Sequence, residues 1–247
     1  MNGDWDLTPD SSRKQRLGFD ETVFCASKTP DQINRLVQGA LKAEESLLLT
    51  RLDNKKFAEL SSELVGFLDY DQISHTAILG RITVPEDRPR VAIVSGGSSD
   101  VRVAREAART LQYYRIGVRE IYDVGVAGLW RLLERIEELR DMSVVITVAG
   151  MEGTLPSVVA GLVPGLVIAV PVATGYGVAA NGITALNSAL ASCAPGLVVV
   201  NVDNGYGAGC AALRMLNVMQ RRPPGGEGRV MAGKPGDAAH CDGQRGP

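Results

Sequence analysis

From Val91 onward, short runs that are apolar at every position alternate with longer segments in which apolar residues recur every three or four positions. Val91 to Val94, Val118 to Tyr122, Val144 to Val148, Leu166 to Val170 and Leu197 to Val202 have the length and β-branched content of strands. Asp100 to Tyr114, Leu129 to Arg140, Leu155 to Leu162, Ile183 to Ala191 and Ala208 to Met219 carry the helical period. Strands without a polar face need cover on both sides. The pattern therefore predicts an α/β fold, a three-layer doubly wound parallel sheet. Residues 1 to 88 are mixed and charged, with apolar runs at Glu21 to Cys25, Leu47 to Leu52 and Ile78 to Val84, and helix starts at Thr29-Pro30-Asp31 and Asp53. They predict a small N-terminal α/β domain. Pro85-Glu86-Asp87-Arg88-Pro89 reads as a linker to a main domain over 89 to 220. From Arg221 to the end, seven Gly and four Pro without an apolar period predict a disordered tail.

Charge and composition narrow the partners. A formal net charge of −2 over 247 residues supplies no field for nucleic acid or an anionic membrane, so a small molecule is the expected partner. No apolar run reaches the roughly 18 residues of a spanning helix, and Met-Asn-Gly-Asp-Trp-Asp lacks the regions of a signal peptide, which predicts a cytoplasmic protein. Cys25, Cys193, Cys210 and Cys241 show no paired spacing and read as free thiols.

The candidate chemistry lies in the turns that follow the strands. Between Asp141 and Gln220 the charged side chains are Asp141, Glu152, Asp203 and Arg214 alone, and Glu152 falls in a turn, Ala149-Gly-Met-Glu-Gly-Thr-Leu-Pro156, directly after a strand. In open α/β sheets ligands bind outside the carboxyl ends of the strands, which makes Glu152 a candidate for chemistry. Ser95-Gly96-Gly97-Ser98-Ser99-Asp100 forms either an anion cradle at a helix N-terminus or an ordinary cap, with even weight on each. No lysine lies between Lys56 and Lys234, so phosphates would rest on amides, hydroxyls and arginines such as Arg102 and Arg105, and P-loop chemistry is disfavoured. Asp123 ends a strand and would hold ribose hydroxyls or cap a helix, capping having the edge. Thr174-Gly175-Tyr176 and Asp203-Asn204-Gly205-Tyr206 are loops able to flank a planar ring, or merely tight turns.

Histidine is confined to His75, expected at the surface of the small domain, and His240 in the tail, which disfavours triad hydrolysis and histidine-ligated metals. Proton transfer then falls to a carboxylate, a thiol or the substrate, with Glu152 and Cys193 leading. Local sequence reads Cys193 as a small buried hydrophobe in preference to a nucleophile. Cys25 reads as strand core, Cys210 as a thiol in the first turn of a helix, and Trp130 as packing a helix on the sheet.

The order Ser98-Ser99-Asp100, Ala149-Gly-Met-Glu-Gly-Thr-Leu-Pro156, Val170-Pro171-Val172, Asn181-Gly182 and the final Gly-Ala-Gly run resembles the aminoimidazole ribonucleotide carboxylases and mutases. Those enzymes carry histidines where this chain has Thr154 and Val124-Gly-Val-Ala-Gly128, a departure that points away from purine carboxylation by a histidine. Residues 17 to about 220 resemble more closely the carboxylase/hydrolases of nickel-pincer-cofactor biosynthesis, the pyridinium-3,5-biscarboxylic acid mononucleotide synthases. The match runs through Gly18 to Phe24, Lys28-Thr29-Pro30, the Gly97-Ser98-Ser99-Asp100 turn, Gly150-Met151-Glu152-Gly153, Asn187-Ser188 to Gly196, and Asp203-Asn204-Gly205.

This resemblance implies carboxylation of the pyridinium ring of nicotinic acid adenine dinucleotide by carbon dioxide or bicarbonate, and cleavage of its phosphoanhydride to release AMP. It implies Cys193 as the nucleophile and Glu152 as the proton acceptor, no organic cofactor, magnesium assisting hydrolysis through ligands not identified, and a homo-oligomer, potentially an octamer. Gly97, Ser98, Ser99, Asp100, Asp123, Gly150, Met151, Gly153, Thr174, Gly175, Tyr176, Asn187, Asp203 and Asn204 are the expected substrate contacts. A purine-type carboxylase or mutase and a non-catalytic nucleotide-binding protein are the alternatives.

Overall fold

A computed structural model of the chain describes residues 13–85 and 89–220. The expected tail, His240, Cys241 and the middle of the expected linker lie outside the described residues. The first unit opens with α1 (Arg13–Leu17), β1 (Thr22–Phe24), α2 (Pro30–Lys42) and β2 (Leu47–Thr50), and continues with α3 (Asn54–Ala58), α4 (Ser62–Val65), β3 (Leu68–Asp71) and β4 (Thr76–Leu79). Its sheet has the order β1-β2-β4-β3, with β1 and β2 parallel and both pairings of β4 antiparallel. A capping box starts α2: the Gln32 amide donates to Thr29 Oγ1, the Thr29 amide donates to Gln32 Oε1, and Pro30 takes the first turn. The helix then lays Ile33 and Val37 on Cys25, Leu49, Leu52 and Leu79. Strand β3 was not legible in the sequence, since Leu-Asp-Tyr-Asp is polar at alternate positions and too short to show a period.

The second unit runs β5 (Val91–Ser95), α5 (Val101–Tyr113), β6 (Val118–Ile121), α6 (Leu129–Leu133), α7 (Ile136–Arg140), β7 (Val144–Ala149), α8 (Leu155–Ala160), β8 (Leu166–Pro171), α9 (Ile183–Leu190), β9 (Val198–Val199) and α10 (Gly205–Gln220). The strands are all parallel, in the order β6-β5-β7-β8-β9. Alternate side chains leave opposite faces. Ile93, Ile146, Val148, Ile168 and Val170 meet α5 and α10, while Ala92, Val94, Val145 and Val167 meet α6, α7 and α8. These are the three layers that the apolar runs required. The segment expected to be one helix over Leu129 to Arg140 breaks at Glu134–Arg135 into α6 and α7, and the strand expected over Leu197 to Val202 is only Val198–Val199, at the sheet edge.

One face of α5 joins the two sheets. Residues 105, 109 and 113 recur at a spacing of four and so share a stripe. Arg105 Nε donates to Asp71 Oδ2 at 2.8 Å, Arg109 donates to the Asp69 carboxylate at 2.8 Å and carbonyl at 2.7 Å, and the Tyr113 hydroxyl donates to the Ser46 carbonyl at 3.0 Å. Tyr113 also covers Leu48 and Ile78 on the face of the small sheet turned away from α2. Trp130, expected beneath a helix, is instead 62% exposed, because Leu132 occupies the buried stripe of α6.

Candidate functional site

With β6 on one side of β5 and β7, β8 and β9 following in order on the other, the direction of the main sheet reverses between β5 and β7. In doubly wound sheets the ligand crevice opens at that reversal, outside the strand carboxyl ends. The turn after β5 holds Gly97 to Asp100 and the turn after β7 holds Gly150 to Gly153, so the two strongest candidates flank the switch point. Asp123 follows β6, Thr174 to Tyr176 follow β8, and Asp203 and Asn204 follow β9.

Adjacent turns are tied together. The Asp123 and Val124 amides donate to Ser95 Oγ and the Ser95 carbonyl, at 3.2 and 3.0 Å. The Met151 amide donates to the Thr174 carbonyl at 2.9 Å, and the Ala173 amide donates to Asp203 Oδ1 at 3.0 Å. A Cβ on Gly150 would lie 2.4 Å from the Thr174 carbonyl oxygen, so only glycine lets these two turns approach. Asp123, Met151, Asn181 and Asp203 all adopt left-handed backbone, at φ of 57°, 53°, 60° and 56°. Such residues cluster where tertiary contacts override local preference, as at ligand sites.

Asp100 is 5% exposed, and Oδ2 accepts the Gly97 amide at 2.9 Å. It staples its own turn; its side chain does not cap α5. Burial raises its pKa, against the pull of the Gly97 and Gly150 amides, and Oδ1 has no hydrogen-bond partner. Ser98 and Ser99 are exposed beside it. Asp123 does not cap a helix either; its carboxylate pairs with Arg131 at 2.7 Å. Glu152 is exposed, and no described residue forms an ion pair or hydrogen bond with it. Tyr176 stands 78% exposed above the turn after β8, whereas Tyr206 is half-buried in the first turn of α10.

Of the arginines considered for phosphate, Arg105 is committed to Asp71 and, at 3.7 Å, to Glu120. Arg102 is one-third exposed and 3.5 Å from Asp203, which leaves it able to meet an anion. Two residues escaped sequence reasoning. Glu106 is 1% exposed, and Arg51 of the small unit donates to it at 2.8 Å. Loss of that guanidinium would leave a buried carboxylate uncompensated, at a cost of about 3–5 kcal/mol. The available signal was an acid on the stripe of α5 that also carries Val103, Ala107 and Thr110, where an apolar residue belongs.

Cys193 is not brought to these turns, whereas Asn187 lies on α9 two residues beyond Ala185, which packs against Gly153. Cys193 lies between α9 and β9, toward the amino end of the strands. Gly153 touches Ala185 near the start of α9, and eight residues separate Ala185 from Cys193, about 12 Å if helical throughout. Cys193 is exposed, so it is not the small buried hydrophobe that local sequence favoured. Ser192 anchors its loop, accepting the Ala194 amide at 3.2 Å and pairing with Ser157 of α8 at 2.8 Å. Cys210 falls in the second turn of α10, since the helix begins at Gly205, and burial raises its pKa; the helix dipole does not reach it. Cys25 is fully buried just past β1 and its pKa is pushed up to about 12. His75 is half-buried, with a pKa lowered by burial and by Arg102.

The site residues offer no preassembled metal cage: among the described residues no group of three His, Cys, Asp or Glu side chains converges. Asp203 is engaged through both oxygens, Asp123 is paired and Asp100 is buried, which leaves the single carboxylate of Glu152. A cavity of about 800 Å³ lies elsewhere, in the small unit between Leu41, Phe67 and Arg81, and has no part in this edge. No described helix is long and apolar enough to cross a membrane.

Strand order and the five turns gathered on one edge define a doubly wound α/β protein with its switch point at that edge. Residues 90–223 match the AIR carboxylase family and residues 7–81 the LarB/PurE-like N-terminal domain, and the chain belongs to that family. An uncharacterized protein of Methanocaldococcus jannaschii is 35% identical over 87% of this chain and 86% of its own length. The N5-carboxyaminoimidazole ribonucleotide mutase of Pyrococcus horikoshii is 32% identical over 56% of this chain and 77% of its own. The crystal structure of Treponema denticola PurE overlays 54% of this chain and 94% of its own, with 21% identity and a TM-score of 0.40.

Proposed function

We propose that this protein carboxylates the pyridinium ring of nicotinic acid adenine dinucleotide and hydrolyses its phosphoanhydride, giving pyridinium-3,5-biscarboxylic acid mononucleotide and AMP. The observation that carries the reading is a switch-point edge without histidine whose unpaired carboxylate is Glu152, in a chain that also has the LarB/PurE-like N-terminal domain. A pyridinium is too electron-poor to attack carbon dioxide. The Cys193 thiolate first adds to a ring carbon, forming a C–S bond and a neutral enamine. A ring carbon of the enamine then forms the C–C bond to carbon dioxide, Glu152 takes the proton from that carbon, and the C–S bond breaks to restore aromaticity and release the thiolate. Water cleaves the anhydride. The Gly97 to Asp100 turn and Arg102 would hold phosphates, with Tyr176 against the ring. Magnesium would shield phosphate charge and arrive bound to the dinucleotide, since this ion takes few protein carboxylates; no step above is routed through it.

The separation of Cys193 from the Glu152 turn adds a condition: a second copy of the chain supplies one of the two. Val178, Ile183 and Leu190 are 94%, 53% and 65% exposed around α9, which suits burial against another copy and supports a homo-oligomer. The test is incubation with the dinucleotide, bicarbonate and magnesium. Dicarboxylated mononucleotide and AMP are expected from the native protein and no dicarboxylated product from Cys193→Ala, whereas undiminished carboxylation by that variant rejects the nucleophile. A mutase acting on N5-carboxyaminoimidazole ribonucleotide is the second reading, favoured by the mutase relatives and opposed by the missing histidines. Turnover of that compound would establish it.

A further inference from the structure

We infer that Arg51, in the small N-terminal unit, is a positioning residue that holds the Glu152 turn in place through Asp203. Arg51 follows β2 directly and adopts left-handed backbone at φ 56°. Its Nε donates to Glu106 Oε1 at 2.8 Å, and its Nη2 donates to Glu106 Oε2 at 3.4 Å and to the carbonyl of Asp203. The Tyr206 amide also donates to Glu106 Oε2, at 3.3 Å. One planar fork thus joins three segments distant in sequence: the end of β2, the buried face of α5 and the turn between β9 and α10.

From Asp203 the connection continues along the edge of the main sheet. Its carboxylate accepts the Ala173 amide at 3.0 Å and lies 3.5 Å from Arg102. Thr174, the next residue, accepts the Met151 amide at 2.9 Å, and Glu152 follows Met151. Arg51, Asp203, Ala173–Thr174 and Met151–Glu152 form an unbroken hydrogen-bonded line from the small unit to the candidate base. Such contiguous contacts can carry positional coupling between distant groups. An ion pair serving stability alone would need Glu106 and nothing more. The additional bond to a backbone carbonyl fixes the peptide of Asp203, a non-glycine residue in the left-handed region that depends on its surroundings to stay there. The small unit thereby reaches the site through the Arg51 side chain, at the turn after β9.

The catalytic consequence rests on the function proposed above; the positional one does not. Arg51→Leu would strand the buried Glu106, so the test pairs it with Glu106→Gln, which removes the charge and keeps an acceptor for the Tyr206 amide. The double variant is expected to melt within about 5 °C of the native protein. Hydrogen exchange at the Ala173 and Met151 amides is expected to rise by about tenfold. Turnover of nicotinic acid adenine dinucleotide is expected to lose about tenfold or more in kcat while KM moves by less than about threefold. Arg51→Lys keeps the charge on Glu106 but has no fork to reach Asp203 as well, and it should reproduce the exchange result if the double variant does not fold. Native exchange at both amides in a folded double variant, or in Arg51→Lys, overturns the inference. Faster exchange in a protein whose native form does not turn over the dinucleotide sinks the substrate assignment and leaves the positioning role standing.

Discussion

Gly153 lies so close to Ala185 that a methyl group on the glycine would meet the alanine Cα at 2.7 Å and Cβ at 2.9 Å, and its φ of +63° is one that side chains resist. The Glu152 turn is thereby seated on the start of α9. Gly153→Ala combines overpacking with backbone strain and is expected to cost about 2–4 kcal/mol. Gly177, at φ +57° with nothing within 4 Å of an added Cβ, is the control. There alanine should cost about 1 kcal/mol, from backbone strain alone. Equal losses in denaturant unfolding would show that the Ala185 contact is not what requires glycine at 153.

Asp100 gives stability a pH dependence of defined sign. Burial raises its folded pKa above the ordinary carboxylate value of 3.8, so the folded state holds the proton more tightly than the unfolded one. Its stabilising contribution is complete below the unfolded value and is lost as pH rises through the folded one. Asp100→Asn keeps an acceptor for the Gly97 amide and removes the titration. Its stability relative to the native protein should increase from about pH 4 toward neutrality and then level off. A difference in melting temperature that stays constant across that range would show that Asp100 titrates alike in both states.

His75 gives a pH dependence of the opposite sign. Its folded pKa is lowered from 6.5 by burial and by Arg102, so its neutral form is the one the fold accommodates. The associated stability is present above about pH 6.5 and declines as pH falls through the unfolded value, where the unfolded state gains the proton first. His75→Gln should flatten the acid side of the melting curve below about pH 6.5. An unchanged acid limb would remove His75 as its source.

The thiols should separate by reactivity. Cys193 is exposed, while Cys25 is fully buried with its pKa pushed up to about 12. Iodoacetamide at about pH 8 should label the peptide containing Cys193 within minutes and that containing Cys25 only after unfolding. Peptide mass analysis decides it, and equal labelling of both would contradict the burial of Cys25.

Leu190 is 65% exposed on α9, on the surface proposed to meet a second copy. Leu190→Glu should lower the mass measured by light scattering while leaving the melting of the isolated chain within about 0.5 kcal/mol of native, as for other surface changes. A native protein that scatters as a monomer at micromolar concentration would end the shared-site account.

Periodicity along the chain was sufficient for the main sheet, because a strand buried on both faces must be apolar throughout and its covering helices must carry a stripe. The same local rules located the five turns after the strands, since each needs glycine or a small polar residue wherever it occurs. What periodicity could not show is which turns meet: the Gly150–Thr174 approach and the tie from Ala173 to Asp203 depend on strand order, which no short window of sequence contains. The roles of Trp130 and Cys210 were misplaced by one helical face and one helical turn, errors that arise because packing selects the face and the observed start of the helix sets the turn. Arg51 and Glu106 stand 55 residues apart in the chain, and nothing in the spacing of either points to the other. Only folding puts the guanidinium against a carboxylate removed from water, because charge pairing is a relation of distance in space, to which sequence spacing is blind.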